Sequence, residues 1–363
     1  MAKFLEVFED VTKYGTKIPT DKYLASGEYP IIDQGQTYIS GYINDGTGLF
    51  TDVPAIIFGD HTRVLKYVDT PCFLGADGVK LLKTKDNSSD YKYLYYALCN
   101  ANIPNTGYNR HFKWLKEVNI PLPNVETQHQ IANTLDKVTH TIDICNAILE
   151  KLDLLVKSRF IEMFGDIICN TKQWDIHIFD EITTSRLGKM LDAKKQTGIS
   201  SYPYLANFNV QWFRFELENL NSMDFNDKDQ KEYALEEGDL LVCEGGEIGR
   251  CAIWHDDIQP CFFQKALHRV RCDKSVILPI YLACWFKFNC EHNDFSEIEG
   301  AKATIAHLPG IKLKKLSVAV PPLALQHRFA AFVAQTDKSK LAVQKQLETL
   351  ETLKKSLMQE YFS

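Results

Sequence analysis

Cysteines, histidines and a few polar loops are the residues of this chain that could do chemistry. Of the ten cysteines, Cys243, Cys251, Cys261, Cys272, Cys284 and Cys290 fall within 48 residues, a density that invites a metal or disulfide site. None of the ten forms a C-x-x-C pair, and His255 and His268 do not complete a zinc-knuckle spacing. The thiols therefore read as reduced, partly buried small hydrophobes, and no metal site is expected. Glu244-Gly245-Gly246-Glu247-Ile248-Gly249 follows an apolar run and is rich enough in glycine to suggest phosphate binding. It lacks the lysine and the following helical pattern of a phosphate loop, so it reads as a tight turn. The spacings G-x-x-x-x-G-K-[ST], H-E-x-x-H and G-x-S-x-G are absent. Gln128-His129 and Gln326-His327 could pass for paired imidazoles, but each stands where a long helix begins and reads as a contact at the helix start. No acid–base or nucleophilic constellation emerges, so the chain is expected to be non-catalytic and to need no cofactor.

The elements that carry these residues are duplicated. Sliding the sequence by 198 lays Val118–Gly165 on Leu316–Ser363 without a gap, and twelve of the 48 pairs are identical. Pro123/Pro321, Gln128/Gln326, His129/His327, Ala132/Ala330 and Phe164/Phe362 are among them. Upstream, Tyr29-Pro30-Ile31-Ile32 echoes Tyr202-Pro203-Tyr204-Leu205 at an offset of 173. Ala55–Phe58 echoes Asp239–Val242 at 184, and Tyr93-Leu94 echoes Tyr281-Leu282 at 188. Offsets that climb steadily toward 198 fit a second copy with small loop insertions.

Each copy reads as a globular part followed by a long helix. The expected division is 1–126, a first globular domain; 127–166, its helix; 167–325, a second globular domain; and 326–363, its helix. Ile131, Leu135, Val138, Ile142, Cys145, Leu149, Leu152 and Val156 alternate steps of four and three, which makes a heptad seam. Copy two continues the seam through Phe329, Val333, Thr336, Lys340, Val343, Leu347, Leu350, Lys354, Leu357 and Tyr361, with polar interruptions that can fix register and partner. The two helices are expected to pack on each other as an antiparallel coiled coil. The globular parts look mixed α/β (α+β). Short β-rich runs at Ala55–Phe58, Lys80–Lys83, Leu240–Cys243 and His268–Cys272 alternate with Gly and Asp turns, and one helix per copy is expected at Tyr91–Asn100 and Ile280–Phe288. The whole is a tandem, pseudo-twofold repeat.

Composition limits the function classes. The 363 residues are 45% hydrophobic and 24% charged, which describes a folded chain of about two domains rather than a disordered one. No run of about 18 uncharged apolar residues occurs, so no spanning helix and no membrane partner are expected. The acidic start, Met1–Asp10, lacks the apolar stretch of an export signal, and a cytoplasmic location is expected. The net charge of −6 argues against coating nucleic acid indiscriminately.

The duplication, the Pro-x-x-x-x-Gln-His-x-x-Ala step into each long helix and the glycine-containing approaches to it (Gly107–Pro123, Gly300–Pro321) resemble the specificity subunits of type I restriction–modification systems. So does the opening of each copy, a short acidic–apolar piece (Glu6–Asp10; Trp174–Ile182) followed by Tyr-Pro. The resemblance covers nearly the whole chain. Gln-His stands where many members of that family have Glu-Gln. It implies two target recognition domains reading the halves of a split double-stranded DNA site, with two long helices setting the spacing. It also implies two methyltransferase subunits that flip and methylate an adenine, and motor-nuclease subunits for restriction, with the specificity subunit itself non-catalytic.

On that premise, chemistry nominates the DNA-facing side chains. Base edges are read by Arg, Lys, Asn and Gln, while phosphates draw on Lys, Arg, Thr and backbone amides. In copy one the loop with Thr106, Tyr108, Asn109 and Arg110, followed by Lys113, is the leading candidate, with Arg63 in Asp60–Arg63 as a second. In copy two the counterparts are Lys302, Thr304 and His307, with Lys189 beside Ser185–Gly188. Two other readings stay open: a coiled-coil interaction protein with two globular heads, and a self-contained DNA-modifying enzyme. The first would lack salt-sensitive DNA binding. The second needs an Asn/Asp-Pro-Pro-aromatic methylation motif or a carboxylate–lysine nuclease cluster, and neither is evident.

Overall fold

A computed structural model of the chain describes residues 1–86, 88–192, 196–292 and 307–362. The chain divides into two compact units, one made of Met1–Ile148 with Val343–Ser363 and the other of Leu149–Ala342.

The first unit runs β1 (Ala2–Lys3), α1 (Phe4–Val7), β2 (Phe8–Asp10), β3 (Lys17–Ile18), β4 (Tyr29–Ile32), β5 (Gly41–Ile43), β6 (Ala55–Gly59), β7 (Leu65–Val68), β8 (Phe73–Gly75) and β9 (Val79–Thr84). Then come α2 (Tyr91–Cys99), α3 (Phe112–Leu115), β10 (Asn119–Ile120) and the first part of α4 (Val125–Phe164). One sheet has the order β2-β9-β6-β7, all antiparallel; a second has the order β3-β8-β4-β5, with β8 parallel to both its neighbours. Every residue of β6 is buried, because both faces of this central strand are covered. Ile56 and Phe58 point into a core with α2 and α4, while Ala55 and Ile57 point into another with Leu81, Val68 and Leu74. Alternate side chains leave opposite faces of a strand, so a strand covered twice reads as an unbroken apolar run.

The second unit repeats this plan. It contains the last part of α4, then β11 (Asp175–Ile178), α5 (Phe179–Ile182), β12 (Thr183–Leu187), β13 (Ser201–Leu205), β14 (Val210–Gln211), β15 (Arg214–Phe215), β16 (Asn221–Asp224), α6 (Asp227–Tyr233), β17 (Leu240–Cys243), β18 (Cys251–Ile253), β19 (Phe262–Phe263) and β20 (Leu267–Cys272). They are followed by α7 (Pro279–Glu291), α8 (Gly310–Leu313), β21 (Ser317–Val320) and the start of α9 (Leu323–Phe362). The order β12-β20-β17-β18 matches β2-β9-β6-β7, and β13 lies parallel to β19 as β4 does to β8. β17 splits its side chains as β6 does: Leu240 and Val242 enter one core, Leu241 and Cys243 another. The hairpin β14–β15 and helix α6 are extra, and they fall where the repeat offset rises from 173 to 184. The mixed α/β class and the tandem repeat are therefore as the sequence indicates.

Each long helix has 40 residues, about 60 Å at 1.5 Å per residue. In the first unit Ile131, Ala132 and Leu135 near the start of α4 share a core with Leu357, Met358, Tyr361 and Phe362 at the end of α9. In the second unit Phe160 and Phe164 near the end of α4 lie 5.5 and 5.4 Å from Phe329 near the start of α9. Start meets end in both units, so the helices run antiparallel. Along α4, Ile131, Leu135 and Cys145 are buried and Val138, Ile142, Leu149 and Leu152 half-buried; along α9, Phe329 and Val333 are buried and Val343, Leu347 and Leu350 half-buried. The polar interruptions are accommodated locally. Thr336 is buried and donates to the Phe332 carbonyl at 3.0 Å, and Lys340 reaches Asp153 of α4 at 2.6 Å.

Gln128 and Gln326 join each long helix to its own globular part. Gln128 accepts from the Asp90 amide at 3.0 Å and donates to the Pro123 carbonyl at 2.9 Å. Gln326, fully buried, accepts from the Leu278 amide at 2.8 Å and donates to the carbonyls of Pro321 and Val276 at 2.8 and 3.0 Å. Asp90 and Leu278 are the residues before the first turns of α2 and α7. Beside them Tyr93 donates to the Pro121 carbonyl at 2.9 Å, and Tyr281 donates to the Ala319 carbonyl at 2.6 Å.

Candidate nucleic-acid interface

Four loops of the first unit converge where β6 ends, tied together by the buried Asp60 and by His61 and Thr62 beside it. The Asp60 amide donates to the Gly78 carbonyl at 2.6 Å, just before β9. Its carbonyl accepts from the His111 amide at 2.7 Å and lies 3.0 Å from His111 Nδ1, just before α3. Its carboxylate accepts from the Phe112 amide at 2.7 Å. Gln34, in the loop after β4, accepts from the His61 amide at 3.1 Å, and its own carbonyl accepts from Thr62 Oγ1 at 2.6 Å. Lys66 of β7, with 4% of its side chain exposed, donates to the Asp33 and Thr37 carbonyls at 2.8 and 2.6 Å and lies 3.7 Å from the Asp33 carboxylate. Burial pushes its ammonium below the ordinary lysine value, and the Asp33 carboxylate opposes that push. A buried charge on this strand is tolerable because carbonyl oxygens surround it.

The second unit builds the same frame from different side chains. Glu244, the residue after β17, donates its amide to the Ala266 carbonyl at 2.8 Å, just before β20. Its carbonyl accepts from the Leu308 amide at 2.6 Å, just before α8. Asn207, after β13, donates to the Gly245 carbonyl at 2.9 Å, the place where Gln34 meets His61. His268 Nε2 lies 2.9 Å from the Leu308 carbonyl and donates to it. Burial pushes this imidazole below its ordinary value, against the Leu308 carbonyl and Glu244.

The nominated residues divide by environment. Thr106, Tyr108, Asn109 and Arg110 stand together on the loop that Asp60 anchors, all exposed. Tyr108 is 88% exposed and stacks on His61; Arg110 has no partner among the described residues. Asn109 donates to the Thr106 carbonyl within the same exposed loop. Lys113 lies exposed over the Trp114 ring at 5.1 Å. Arg63 belongs to the neighbouring loop and donates to the Ile103 carbonyl at 3.1 Å, which engages it structurally. In the second unit His307 is exposed and bridges to Gly245 of the frame. Lys189 is ion-paired with Asp229 at 2.6 Å and packs over Phe225. Lys302 and Thr304 lie outside the described residues. Gln34, Lys66 and Asn207 were not singled out in the sequence. Their one signal is position, since Gln34 and Asn207 are separated by the same 173 as the strands before them.

All ten cysteines are free, and burial pushes the thiols of Cys72 and Cys243 up to about 11 and those of Cys261 and Cys290 up to about 12, away from thiolate chemistry. Among the described residues no three His, Cys, Asp or Glu side chains are placed to hold a metal ion, and no helix is long and apolar enough to cross a membrane.

Comparison with known proteins matches this duplicated architecture. A family model described as the type I restriction modification DNA specificity domain matches residues 3–154 and again residues 179–352. The specificity subunit of the type I restriction enzyme EcoR124I/EcoR124II of Escherichia coli is 29% identical over 145 residues, which are 36% of this chain and 35% of that protein. The EcoBI specificity subunit of Escherichia coli is 22% identical over 346 residues, 86% of this chain and 72% of its own length. Among solved structures, the S subunit of a type I restriction–modification system from M. genitalium has the same fold, with a TM-score of 0.63 over 99% of this chain and 95% of that one at 18% identity.

Proposed function

The chain belongs to the family of type I restriction modification DNA specificity domains, and from that premise we propose that it is a sequence-reading subunit that performs no catalysis itself. The observation that carries the proposal is the frame built twice around Asp60 and Glu244. Equivalent backbone bonds hold equivalent loops, while the side chains those loops present differ. A scaffold of that kind suits a protein that reads two unlike DNA sequences with one design. Each copy then reads one half of a split, asymmetric duplex target. Thr106, Tyr108, Arg110 and Lys113 face DNA in the first copy, and His307, with Lys302 and Thr304 in the same stretch, in the second.

Subunits of this family work within complexes, and the finer assignment follows the same reading. Two adenine methyltransferase subunits and the restriction–translocation subunits assemble on the chain in the cytoplasm. Exposed Ile144 and Ile148 on α4 stand four residues apart, an apolar patch beside the buried seam that supports docking by a partner. Reconstitution with the methyltransferase subunits and mapping of adenine methylation on a plasmid library tests the proposal. Methylation at a two-part target with an unread gap is expected. Methylation of continuous targets, or none, overturns it.

A further inference from the structure

We infer that His61 and Tyr108 form a preorganised aromatic wedge that stacks on a nucleobase at the half-site read by the first copy, partly opening one base step. The inference rests on the DNA-reading function proposed above and adds the kind of contact. The two rings lie 4.7 Å apart at 9°, so His61 stacks beside one face of Tyr108, while Tyr108 as a whole is 88% exposed. Such exposure of a large ring is ordinary when the side chain is loose, but this one is held. His61 Nδ1 lies 3.2 Å from the Asn109 carbonyl, and the His61 amide is fixed on Gln34.

The loop that carries Tyr108 is closed by the Gly107 amide on Asn105 Oδ1 at 3.1 Å and by the Asn109 amide on the Gly107 carbonyl at 2.8 Å. Gly107 has a φ of +75°, a conformation that leaves glycine as the fitting residue although open space surrounds it. A ring ordered before binding loses little further freedom on binding. An aromatic face with no hydrogen-bond preference of its own stacks on bases, and a protruding one unstacks a step. Arg110, exposed and unpaired next to it among the described residues, supplies a charge for the phosphate alongside. Gly245 occupies the position of His61 in the second copy and carries no ring to form such a pair.

The test uses the reconstituted methyltransferase complex and duplexes carrying 2-aminopurine at successive positions of the target. Binding by the wild-type complex is expected to change the fluorescence at one step of one half-site. Tyr108→Ala is expected to abolish that change and weaken binding about tenfold with an unaltered salt dependence, Tyr108→Phe to restore both, and His61→Ala to weaken the signal. Because Tyr108 is exposed, its variants are expected to melt like the wild type. Binding by Tyr108→Ala within about twofold of wild type, or a loss accompanied by a shallower salt dependence, overturns the wedge while leaving sequence reading intact. Absence of any sequence-selective binding by the wild-type complex overturns the DNA-reading function, and the wedge with it.

Discussion

Gln326 shows how much one side chain can hold at the residue scale. Its amide group makes three hydrogen bonds with no exposure to water, against two for Gln128. Truncation leaves buried partners unsatisfied, so Gln326→Ala is expected to destabilise the protein by about 2–4 kcal/mol, and Gln128→Ala by less. Denaturant midpoints of the two variants check the order. His268 gives a pH prediction. Its folded-state pKa lies below the ordinary 6.5, so the unfolded chain binds more protons between those two values, and stability falls as the pH drops through that window. Melting temperatures followed from about pH 7.5 down to about pH 5 should decline more steeply for wild type than for His268→Gln. Parallel curves would remove His268 from the account. On the DNA side, Arg110→Ala is expected to weaken binding to all sequences alike and to lower the salt slope by about 0.9, the signature of one phosphate contact. Of these residues, the sequence showed the loop of Arg110 and the repeated glutamines. It could not show Lys66 or Gln34, whose partners are backbone carbonyls and amides brought close only by the fold.

At the scale of elements, the long helices were the most legible part, because a 3-4 alternation kept from Ile131 to Val156 and again from Phe329 to Tyr361 is the mark of a helix with one buried stripe. Polar Thr336 and Lys340 look like defects in that pattern, yet one hydroxyl turns back to its own helix and one ammonium crosses to Asp153. Asp153 is 73% exposed, so Asp153→Ala is expected to cost less than about 1 kcal/mol. Leu135, wholly buried in the same seam, should cost about 2–5 kcal/mol on replacement by alanine. Comparable losses in thermal unfolding would mean that the ion pair, rather than the apolar seam, holds the helices. The buried strands β6 and β17 were also legible as apolar runs. Short strands such as β3, β14 and β15 were not, since two residues carry no periodicity, and neither was strand order, which depends on contacts between distant segments.

For the whole molecule, duplication was the clearest message of the sequence, and the rising offsets alone located the insertions. What stayed hidden was that the repeat extends to the loop frame around Asp60 and Glu244, where almost no side chain is shared but the backbone bonds recur. If the long helices set the unread gap in the DNA target, one heptad added to α4 and one to α9 lengthens each by about 10.5 Å. The gap is then expected to grow by about three base pairs, seen by methylome sequencing. An unchanged gap would refute the ruler. The discontinuous make-up of the first unit has a consequence for how the protein comes into being. Tyr93 waits for Phe362, 5.3 Å away in the finished core, while some 270 intervening residues leave the ribosome. The segment Leu149–Ala342 is contiguous and can complete its own core as it emerges. The first unit therefore closes its core only after the second is complete, and until then the apolar surface around Tyr93 stays open.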